Sequence, residues 1–271
     1  MKLAVCFYGN VGGKKGSHGH GGYQDITEHL IKNKNHFDNK YNDVDYFVHS
    51  WSVDKKDLIN NVLNPKSSIF EENSVVNDQL KSLEDYGLRN INSYENMFGN
   101  EFKDFFKISF FSAQSRWYSN SKSLEIMKNY SNSKKIKYDW VLQVRLDIVF
   151  YKLFNLSELV NTNFYVPHRQ KETDIAVNDM FFLSNYNNAV SFSKIFIQRD
   201  KYSIRPPVAA KQHLDSLKLT ISPILYFQKD FNIVRLNKIS IHVKVIRIML
   251  HFLRIFVALQ QKFIRKIEKL F

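Results

Sequence analysis

The chain has 271 residues but only one cysteine, and this scarcity makes the first exclusions. Without a second cysteine there is no disulfide framework, which favours a reducing compartment. Cys6 lies inside the apolar N-terminal run and is interpreted as a buried small hydrophobic residue, not a nucleophile. Only five prolines and nine glycines occur, so collagen-like and low-complexity disordered classes are excluded as well.

The sequence also lacks a long hydrophobic run. No window holds the roughly 18 consecutive apolar residues from which a transmembrane helix is built. At the N-terminus one lysine precedes a short apolar stretch that runs into Gly9, and no cleavage-site pattern follows it, so no signal peptide is expected. These features predict a cytoplasmic protein.

Apolar and aromatic side chains are present in quantity. With 44% hydrophobic and 15% aromatic residues, the chain has material for a large core. This length and composition favour one α/β domain of ordinary size with an appendage. We expect the domain over residues 1–235 and the appendage over residues 236–271.

The clearest strand signal runs from Tyr138 to Phe150, where apolar residues occupy the even positions. Arg145 and Asp147 are therefore expected on one strand face, opposite the apolar row. The run is long for a strand, so its regular part is expected to end near Asp147, with a cation and a carboxylate together at the tip. Strand tips carry the ligand sites of α/β sheets. The alternative is an ordinary ion pair on a strand surface.

A glycine-rich loop follows the first predicted strand, Lys2–Tyr8, and holds seven of the nine glycines between Gly9 and Gly22. Backbone amides of such a loop can approach a phosphate closely, and two lysines add positive charge. The loop suits a diphosphate, although it matches neither a P-loop nor a dinucleotide fingerprint. A flexible surface loop is the alternative. The candidate phosphate contacts are Gly9, Gly12, Gly13, Lys14 and Lys15.

Periodicity predicts the remaining elements of the α/β fold, a mixed and mainly parallel sheet flanked by helices. Further strands are expected at Asp43–Trp51, Asn163–His168, directly after Asn178–Asp179, and at Phe231–Arg235. Helices are expected at Tyr23–Ile31, Phe102–Met127, Asn185–Gln198 and Pro206–Leu219. A linker is expected at Ser131–Lys137.

Three of these segments resemble a family of GT-A-like glycosyltransferases found in bacterial capsule and lipopolysaccharide gene clusters. The resembling segments are Tyr138-Asp139-Trp140 leading into Arg145-Leu146-Asp147, the Asp-hydrophobic-Phe-hydrophobic-His-x-Trp pattern at 45–51, and Asn178-Asp179 before apolar residues. In that family RxD stands where other GT-A enzymes have the DxD motif, which holds a divalent metal and a nucleotide-sugar diphosphate. The resemblance implies a GT-A-like (Rossmann-like) domain and transfer of a sugar from a nucleotide-sugar donor.

The resemblance also implies roles for individual residues. Asp147 would hold Mn2+ or Mg2+ through oxygen, and Arg145 would face the diphosphate. The positive charge of Arg145 is an alternative to part of the positive charge of the metal. Asp179 would act as general base toward an acceptor hydroxyl, with an Asn-Asp turn as the alternative. His213 would add a metal ligand, or it is a structural histidine. Contacts to the donor are implied for Asp45, Trp51, Gln114 and Arg116. The alternative is packing for Trp51 and a solvated helix face for Gln114 and Arg116.

The segment from Ser240 to Phe271 is basic and amphipathic. Basic residues recur at steps of three, four or seven, and large apolar residues fill most of the other positions. Seven lysines and arginines stand against one glutamate, so this segment supplies +6 of the formal +13. The pattern predicts a helix on the anionic cytoplasmic face of the inner membrane, with packing on the domain or dimerisation as alternatives. Nucleic acid is not expected as a partner, because the basic residues interleave with large aliphatics and no nucleic-acid motif occurs.

The expected partners are therefore a nucleotide sugar, a surface polysaccharide or lipid-linked glycan acceptor, and the membrane surface. Two other classes of function fit the sequence. One is a non-catalytic, membrane-associated scaffold of envelope glycan assembly. The other is a phosphoryl or sulfuryl transferase that uses the glycine-rich loop.

Overall fold

The computed structural model describes residues 1–11, 26–73, 75, 102–168 and 174–234. Its strands are β1 Leu3–Gly9, β2 Val44–Ser50, β3 Ser67–Phe70, β4 Trp140–Arg145, β5 Ile148–Phe150, β6 Phe164–His168, β7 Phe181–Ser184, β8 Ile221–Tyr226 and β9 Phe231–Ile233. Its α-helices are α1 Ile26–Lys40, α2 Lys56–Leu63, α3 Phe102–Lys134, α4 Tyr186–Phe192 and α5 Pro206–Ser216.

In the described part of the chain, seven strands form one sheet in the order β3-β2-β1-β4-β7-β6-β8, and β5 pairs with β9 in a small separate sheet. The four strands β3, β2, β1 and β4 are parallel. Strand β7 runs against both of its neighbours, β4 and β6, whereas β6 and β8 are parallel. The expected mixed, mainly parallel sheet with flanking helices is confirmed.

Strand β1 lies at the centre of the parallel part of the sheet. Every side chain from Leu3 to Tyr8 is buried, because helices cover both faces, and such strands read as continuous apolar runs. On one face Cys6 packs in a core cluster with Leu124 and Met127 of α3. Burial raises the pKa of the Cys6 thiol well above its ordinary value, which agrees with a buried small hydrophobic residue.

Helix α3 is longer than its apolar spacing predicts. It has 33 residues and continues to Lys134, so the linker expected from Ser131 is mostly helical. The helix ends where Lys135 adopts a left-handed φ of 55° and the Ile136 amide donates to the Ser131 carbonyl at 2.9 Å. Asn120 of α3 donates to the side-chain oxygen of Gln143 at 3.1 Å, so the polar face of β4 meets a helix and not solvent.

The strand predicted over 138–150 divides into two. Strand β4 ends at Arg145, two residues earlier than expected, and β5 begins at Ile148 in the other sheet. The break occurs after Leu146, whose amide still donates to the carbonyl of Tyr8 at 3.0 Å as the last bond of the β1–β4 ladder, whereas from Ile148 the chain pairs with β9. The turn of Leu146 and Asp147 therefore connects the two sheets.

Two edge strands have no clear sequence signal. Strand β3 has only four residues, and β8 contains Pro223, a residue that edge strands tolerate because one row of their amides is unpaired. Among the described residues, none of the helices combines the length and the apolar character needed to cross a membrane. The predicted membrane-surface helix at 236–271 lies outside the described residues.

Candidate functional site

The sheet has a topological switch point between β1 and β4. The chain passes from β1 to β2 and β3 on one side, and then returns to place β4 on the other side of β1. Ligands of open α/β sheets bind in the crevice outside the carboxyl ends of the strands at such a point. Strand β1 ends at Gly9, and Tyr8 is paired in register with Arg145. The structure thus brings the start of the glycine-rich loop and the Arg145–Asp147 turn to one edge.

Arg145 and Asp147 form a two-pronged ion pair at this edge. The guanidinium Nε donates to Oδ1 of Asp147 at 2.8 Å, and Nη2 donates to Oδ2 at 2.5 Å. The two side chains are only 16% and 4% exposed. Burial alone would lower the pKa of Arg145, but the Asp147 carboxylate, with Tyr8 and Asp179, raises the pKa above its ordinary value. Arg145 is therefore a permanent cation.

The turn that carries Asp147 is fixed through its backbone. Two side chains of α1 bind its carbonyls: His29 Nε2 lies 2.9 Å from the Leu146 oxygen, and Asn33 donates to the Ile148 oxygen at 2.7 Å. The Val234 amide donates to the Asp147 carbonyl at 3.0 Å. His29 and Asn33 lie one helical turn apart and are both buried. Sequence reasoning missed them, although polar residues on the apolar face of a helix were the available signal.

Asp179 belongs to the same edge because β7 starts there. Phe181 is paired with Val144, so the residues just before β7 lie beside Arg145. Arg116 of α3 binds Asp179, with Nη1 2.9 Å from Oδ2, and Nη2 also donates to the Asp179 main-chain oxygen. The two side chains are 15% and 14% exposed. Arg116 and Asp179 are therefore largely buried and keep only a small exposed surface at this edge.

Tyr8 links the two ion pairs. Nη2 of Arg116 donates to the Tyr8 hydroxyl at 3.4 Å, and Arg145 is its cross-strand neighbour. Burial raises the pKa of Tyr8, a shift that the charges of Arg116 and Arg145 oppose. The phenol accordingly stays protonated at neutral pH. Sequence reasoning assigned no role to Tyr8, which read only as a buried strand residue.

The four ionised groups of this cluster cancel one another in formal charge. Arg116 and Arg145 are matched by Asp147 and Asp179, so a bound diphosphate needs further positive charge. No group of three or more potential ligand side chains for a metal occurs among the described residues. Both carboxylate oxygens of Asp147 accept from Arg145, so a cation binding there would have to share or displace these bonds. The Mn2+ or Mg2+ site stays a prediction.

Gly9 is held by a chain of buried hydrogen bonds. Its amide donates to Ser119 Oγ at 2.8 Å, Ser119 Oγ lies 2.7 Å from His49 Nδ1, and His49 Nε2 lies 2.8 Å from Oε1 of Glu71. An ionised Glu71 only accepts, so Nε2 carries the proton and Ser119 donates to Nδ1. Burial lowers the pKa of His49, which agrees with this neutral form. This chain of hydrogen bonds fixes Gly9 at a φ of 89°, a conformation that favours glycine.

Three other predicted residues, Asp45, Gln114 and His213, do not join the cluster. Asp45 is near the start of β2, roughly 16 Å from the carboxyl end of that strand at about 3.3 Å per residue. It accepts from the Tyr138 hydroxyl at 2.8 Å and pairs with Lys2 at 3.0 Å. Asp45 therefore lies at the opposite, amino edge of the sheet from Arg145 and Asp147, and its predicted donor contact stays a prediction.

Trp51, Gln114 and His213 contact protein groups. The Trp51 amide donates to the Gly9 carbonyl at 3.4 Å at the carboxyl edge, and its ring packs against His49 and Tyr118. Gln114 accepts from Nε of Arg199 at 2.6 Å. His213 Nδ1 lies 2.9 Å from the Tyr202 hydroxyl, and its Nε2 lies 3.2 Å from the Phe192 carbonyl. Burial lowers the pKa of His213 to about 4. A metal ion would have to displace one of these two hydrogen bonds.

Gly12, Gly13, Lys14 and Lys15 lie outside the described residues, so their predicted phosphate contacts stay predictions.

Comparison of the chain with protein-family models finds no match, and comparison with curated proteins finds none either. The resemblance to glycosyltransferases consequently rests on the three segments at 45–51, 138–147 and 178–183. Two of these segments, Arg145–Asp147 and Asn178–Asp179, meet at the carboxyl edge of β4.

Proposed function

We propose that this protein is a glycosyltransferase that moves a sugar from a nucleotide-sugar donor to a glycan or lipid-linked glycan of the bacterial surface. The observation that carries the proposal is the convergence of Arg145–Asp147, Asp179 and Gly9 on the β1/β4 switch point. The mixed sheet, with β7 reversed between β4 and β6, supports the GT-A-like form of the α/β fold. Ligands of such sheets bind at the switch point.

The leaving group of this reaction is a nucleoside diphosphate, whose negative charge grows as the sugar departs. A guanidinium has five N–H donors, and Asp147 accepts from two nitrogens of Arg145, so N–H donors remain for phosphate oxygens. The fixed turn around Asp147 holds these donors in place before substrate binds, which is how preorganised charge lowers a barrier. Lys14 and Lys15 of the glycine-rich loop would add the positive charge that the neutral cluster lacks.

The acceptor oxygen must lose a proton as it bonds to the sugar. Asp179 is the proposed base, because its carboxylate is partly exposed beside the proposed diphosphate site and Arg116 fixes its position through both side chain and main chain. A divalent cation bound through Asp147 would supply charge neutralisation to the same diphosphate. Arg145 contributes positive charge to the diphosphate, and Asp179 contributes the base for the acceptor hydroxyl.

The test is isothermal titration with UDP, GDP and CMP, each with and without Mn2+. Wild-type protein is expected to bind one of the three. Arg145→Lys keeps the charge but loses the planar fork, so the dissociation constant should rise at least tenfold, which corresponds to about 1.4 kcal/mol. Binding that Mn2+ strengthens, and that Asp147→Asn abolishes, would support the metal site. Binding indifferent to Mn2+ would leave the cationic residues to hold the diphosphate alone.

Arg199→Lys is the matched control. Arg199 is also buried and donates to Gln114 and to the Phe196 carbonyl, away from the switch-point cluster. The Arg199→Lys protein should be less stable than wild type but should bind nucleotide with the same affinity. The proposal is wrong if wild-type protein binds none of the nucleotides, which favours the scaffold, or if Arg145→Lys binds as tightly as wild type.

A further inference from the structure

The edge of the sheet beyond β7 has a backbone irregularity that no part of the proposed mechanism uses. Strands β6 and β8 are parallel and in register up to Pro167 and Ile224, after which His168 pairs with Tyr226 and Leu225 is left as an extra residue. Leu225 adopts a φ of 57°, a left-handed conformation that side chains other than glycine rarely take. Bulges are uncommon in parallel pairs, and they re-aim side chains near functional sites.

The bulge creates a pair of stacked rings. The His168 and Tyr226 rings are parallel within 2°, with centroids 4.0 Å apart. Tyr226 nevertheless remains 49% exposed, so about half of a large aromatic side chain faces solvent. Asp230 fixes its backbone: Oδ2 accepts from the Tyr226 amide at 2.7 Å, and the Asp230 amide donates to the Tyr226 carbonyl at 2.8 Å. The structure thus holds an exposed ring directly after a strained residue, Leu225.

This ring pair is connected to the switch-point cluster on two sides. Asn178, the neighbour of Asp179, donates to the His168 carbonyl at 3.0 Å. On the other side, the chain that carries Tyr226 continues into β9, which pairs with β5, and the Val234 amide binds the Asp147 carbonyl. Both His168 and Tyr226 end strands that run parallel to β4. The rings therefore lie on the same edge of the sheet as the proposed base.

We propose that the Tyr226–His168 pair is the platform on which a pyranose ring of the acceptor glycan stacks. This inference rests on the proposed transferase and names its acceptor subsite. A pyranose has one apolar face of C–H groups and a rim of hydroxyls, so it covers an exposed aromatic ring while its hydroxyls stay hydrogen-bonded. The Lys229 ammonium lies over the Tyr226 ring, 5.6 Å from its centre, so a stacking sugar displaces it toward the rim, where it donates to a sugar hydroxyl.

The test measures binding of simple glycosides by protein NMR titration, using the methyl glycosides of glucose, galactose and N-acetylglucosamine. At least one is expected to bind wild-type protein, shifting signals of Tyr226 and His168. Tyr226→Ala should weaken that binding roughly tenfold, whereas Tyr226→Phe keeps the ring and should bind within about twofold of wild type. Tyr186→Ala, at the start of α4 on the opposite edge, should leave glycoside binding unchanged. Nucleotide affinity should be unchanged in all three variants.

The inference is overturned if none of the glycosides binds, or if a folded Tyr226→Ala binds them as wild type does. It is also overturned if Tyr226→Ala loses nucleotide affinity, because the ring would then serve the donor. Glycoside binding that depends on Tyr226, in a protein that binds no nucleotide, would keep the carbohydrate subsite and remove the transferase. Nucleotide binding without glycoside binding would keep the transferase and remove the carbohydrate subsite at Tyr226.

Discussion

Both edges of the sheet carry networks of charged residues, but the side chains of the two networks differ in how exposed they are to solvent. At the amino edge Lys2 pairs with Asp43 at 2.6 Å and with Asp45 at 3.0 Å, and Asp43 and Asp139 are about half exposed, at 51% and 52%. At the carboxyl edge the side chains of Arg116, Arg145, Asp147 and Asp179 are all 16% exposed or less. Removing one partner of a buried pair leaves an uncompensated charge in a low dielectric, so a single loss should cost more free energy at the carboxyl edge.

The two networks also differ in what they attach to. At the amino edge the charged residues connect the starts of strands: the Lys2 amide donates to Asp139 at 2.6 Å, and the Leu3 amide donates to the Asp43 carbonyl. At the carboxyl edge the charged residues are Arg145 at the end of β4, Asp147 on the turn fixed by α1, Asp179 just before β7, and Arg116 on α3. One edge therefore ties the starts of the strands together, whereas the other holds ionised groups at the proposed ligand site. Substitutions at both edges test this difference.

The largest effect is expected at Asp147. Asp147→Ala leaves the buried Arg145 guanidinium without its carboxylate, which should lower the free energy of unfolding by about 3 kcal/mol. Denaturation in urea, followed by circular dichroism, measures this loss. On the proposed function, nucleotide affinity should also fall.

A double variant separates the two losses at Asp147. Arg145→Met with Asp147→Leu replaces the whole pair by apolar side chains of similar volume, which is often close to neutral for stability. The double variant should therefore recover most of the unfolding free energy and still fail to bind nucleotide. Recovery of both properties would show that the pair serves only the fold.

A smaller effect is expected at Asp45, the buried carboxylate of the amino edge. Asp45→Ala removes the acceptor of the Tyr138 hydroxyl and a partner of Lys2, so the free energy of unfolding should fall by about 2 kcal/mol. Nucleotide affinity should not change, because Asp45 lies at the far end of β2. Loss of affinity in a stably folded Asp45→Ala would return Asp45 to the donor site and erase the distinction between the edges.

The contrast between Asp45 and Asp147 also shows what the sequence could predict. Both are polar residues within apolar alternation, and that pattern correctly predicted the strands. The direction of the strands separates the two: Asp45 is the second residue of β2, whereas Asp147 follows the last residue of β4. In parallel neighbours this alone assigns them to opposite edges, whereas the predicted donor contact of Asp45 stays a prediction.

Other parts of the site depend on tertiary packing that short-range periodicity does not contain. Arg116 and Asp179 are 63 residues apart and meet only because α3 covers β1 and β7 reverses beside β4. The hydrogen bonds of His29 and Asn33 to the Asp147 turn span more than 110 residues. The alternation around Tyr138–Phe150 predicted strand, whereas the break after Arg145 reflects a change of partner, from β1 and β7 to β9, which alternation does not contain.

His213 provides a test that depends on pH. Its pKa is lowered to about 4 in the folded protein, below the ordinary value of 6.5 for histidine, so the unfolded chain binds the proton more tightly. The folded state therefore loses stability as pH falls from 6.5 toward 4, by up to about 1.4 kcal/mol per pH unit. His213→Gln should remove this part of the pH dependence, measured by urea denaturation at pH 7, 5.5 and 4.5.

The same variant tests the predicted metal role of His213. Because both ring nitrogens contact protein groups, His213→Gln should bind nucleotide with and without Mn2+ as wild type does. A loss of Mn2+-dependent binding in this variant, at a pH where it is fully folded, would establish the histidine as a ligand.

The smallest effect is expected at the exposed part of the amino edge. Asp43→Asn removes one carboxylate from Lys2, whose ammonium keeps Asp45 as a partner, and Asp43 is half exposed. The free energy of unfolding should change by no more than about 0.5 kcal/mol, and even this should vanish in 1 M NaCl, where charges are screened within roughly 3 Å. Urea denaturation at low and high salt measures both values. A salt-resistant loss above about 1 kcal/mol would mean that the amino edge is as deeply coupled as the carboxyl edge.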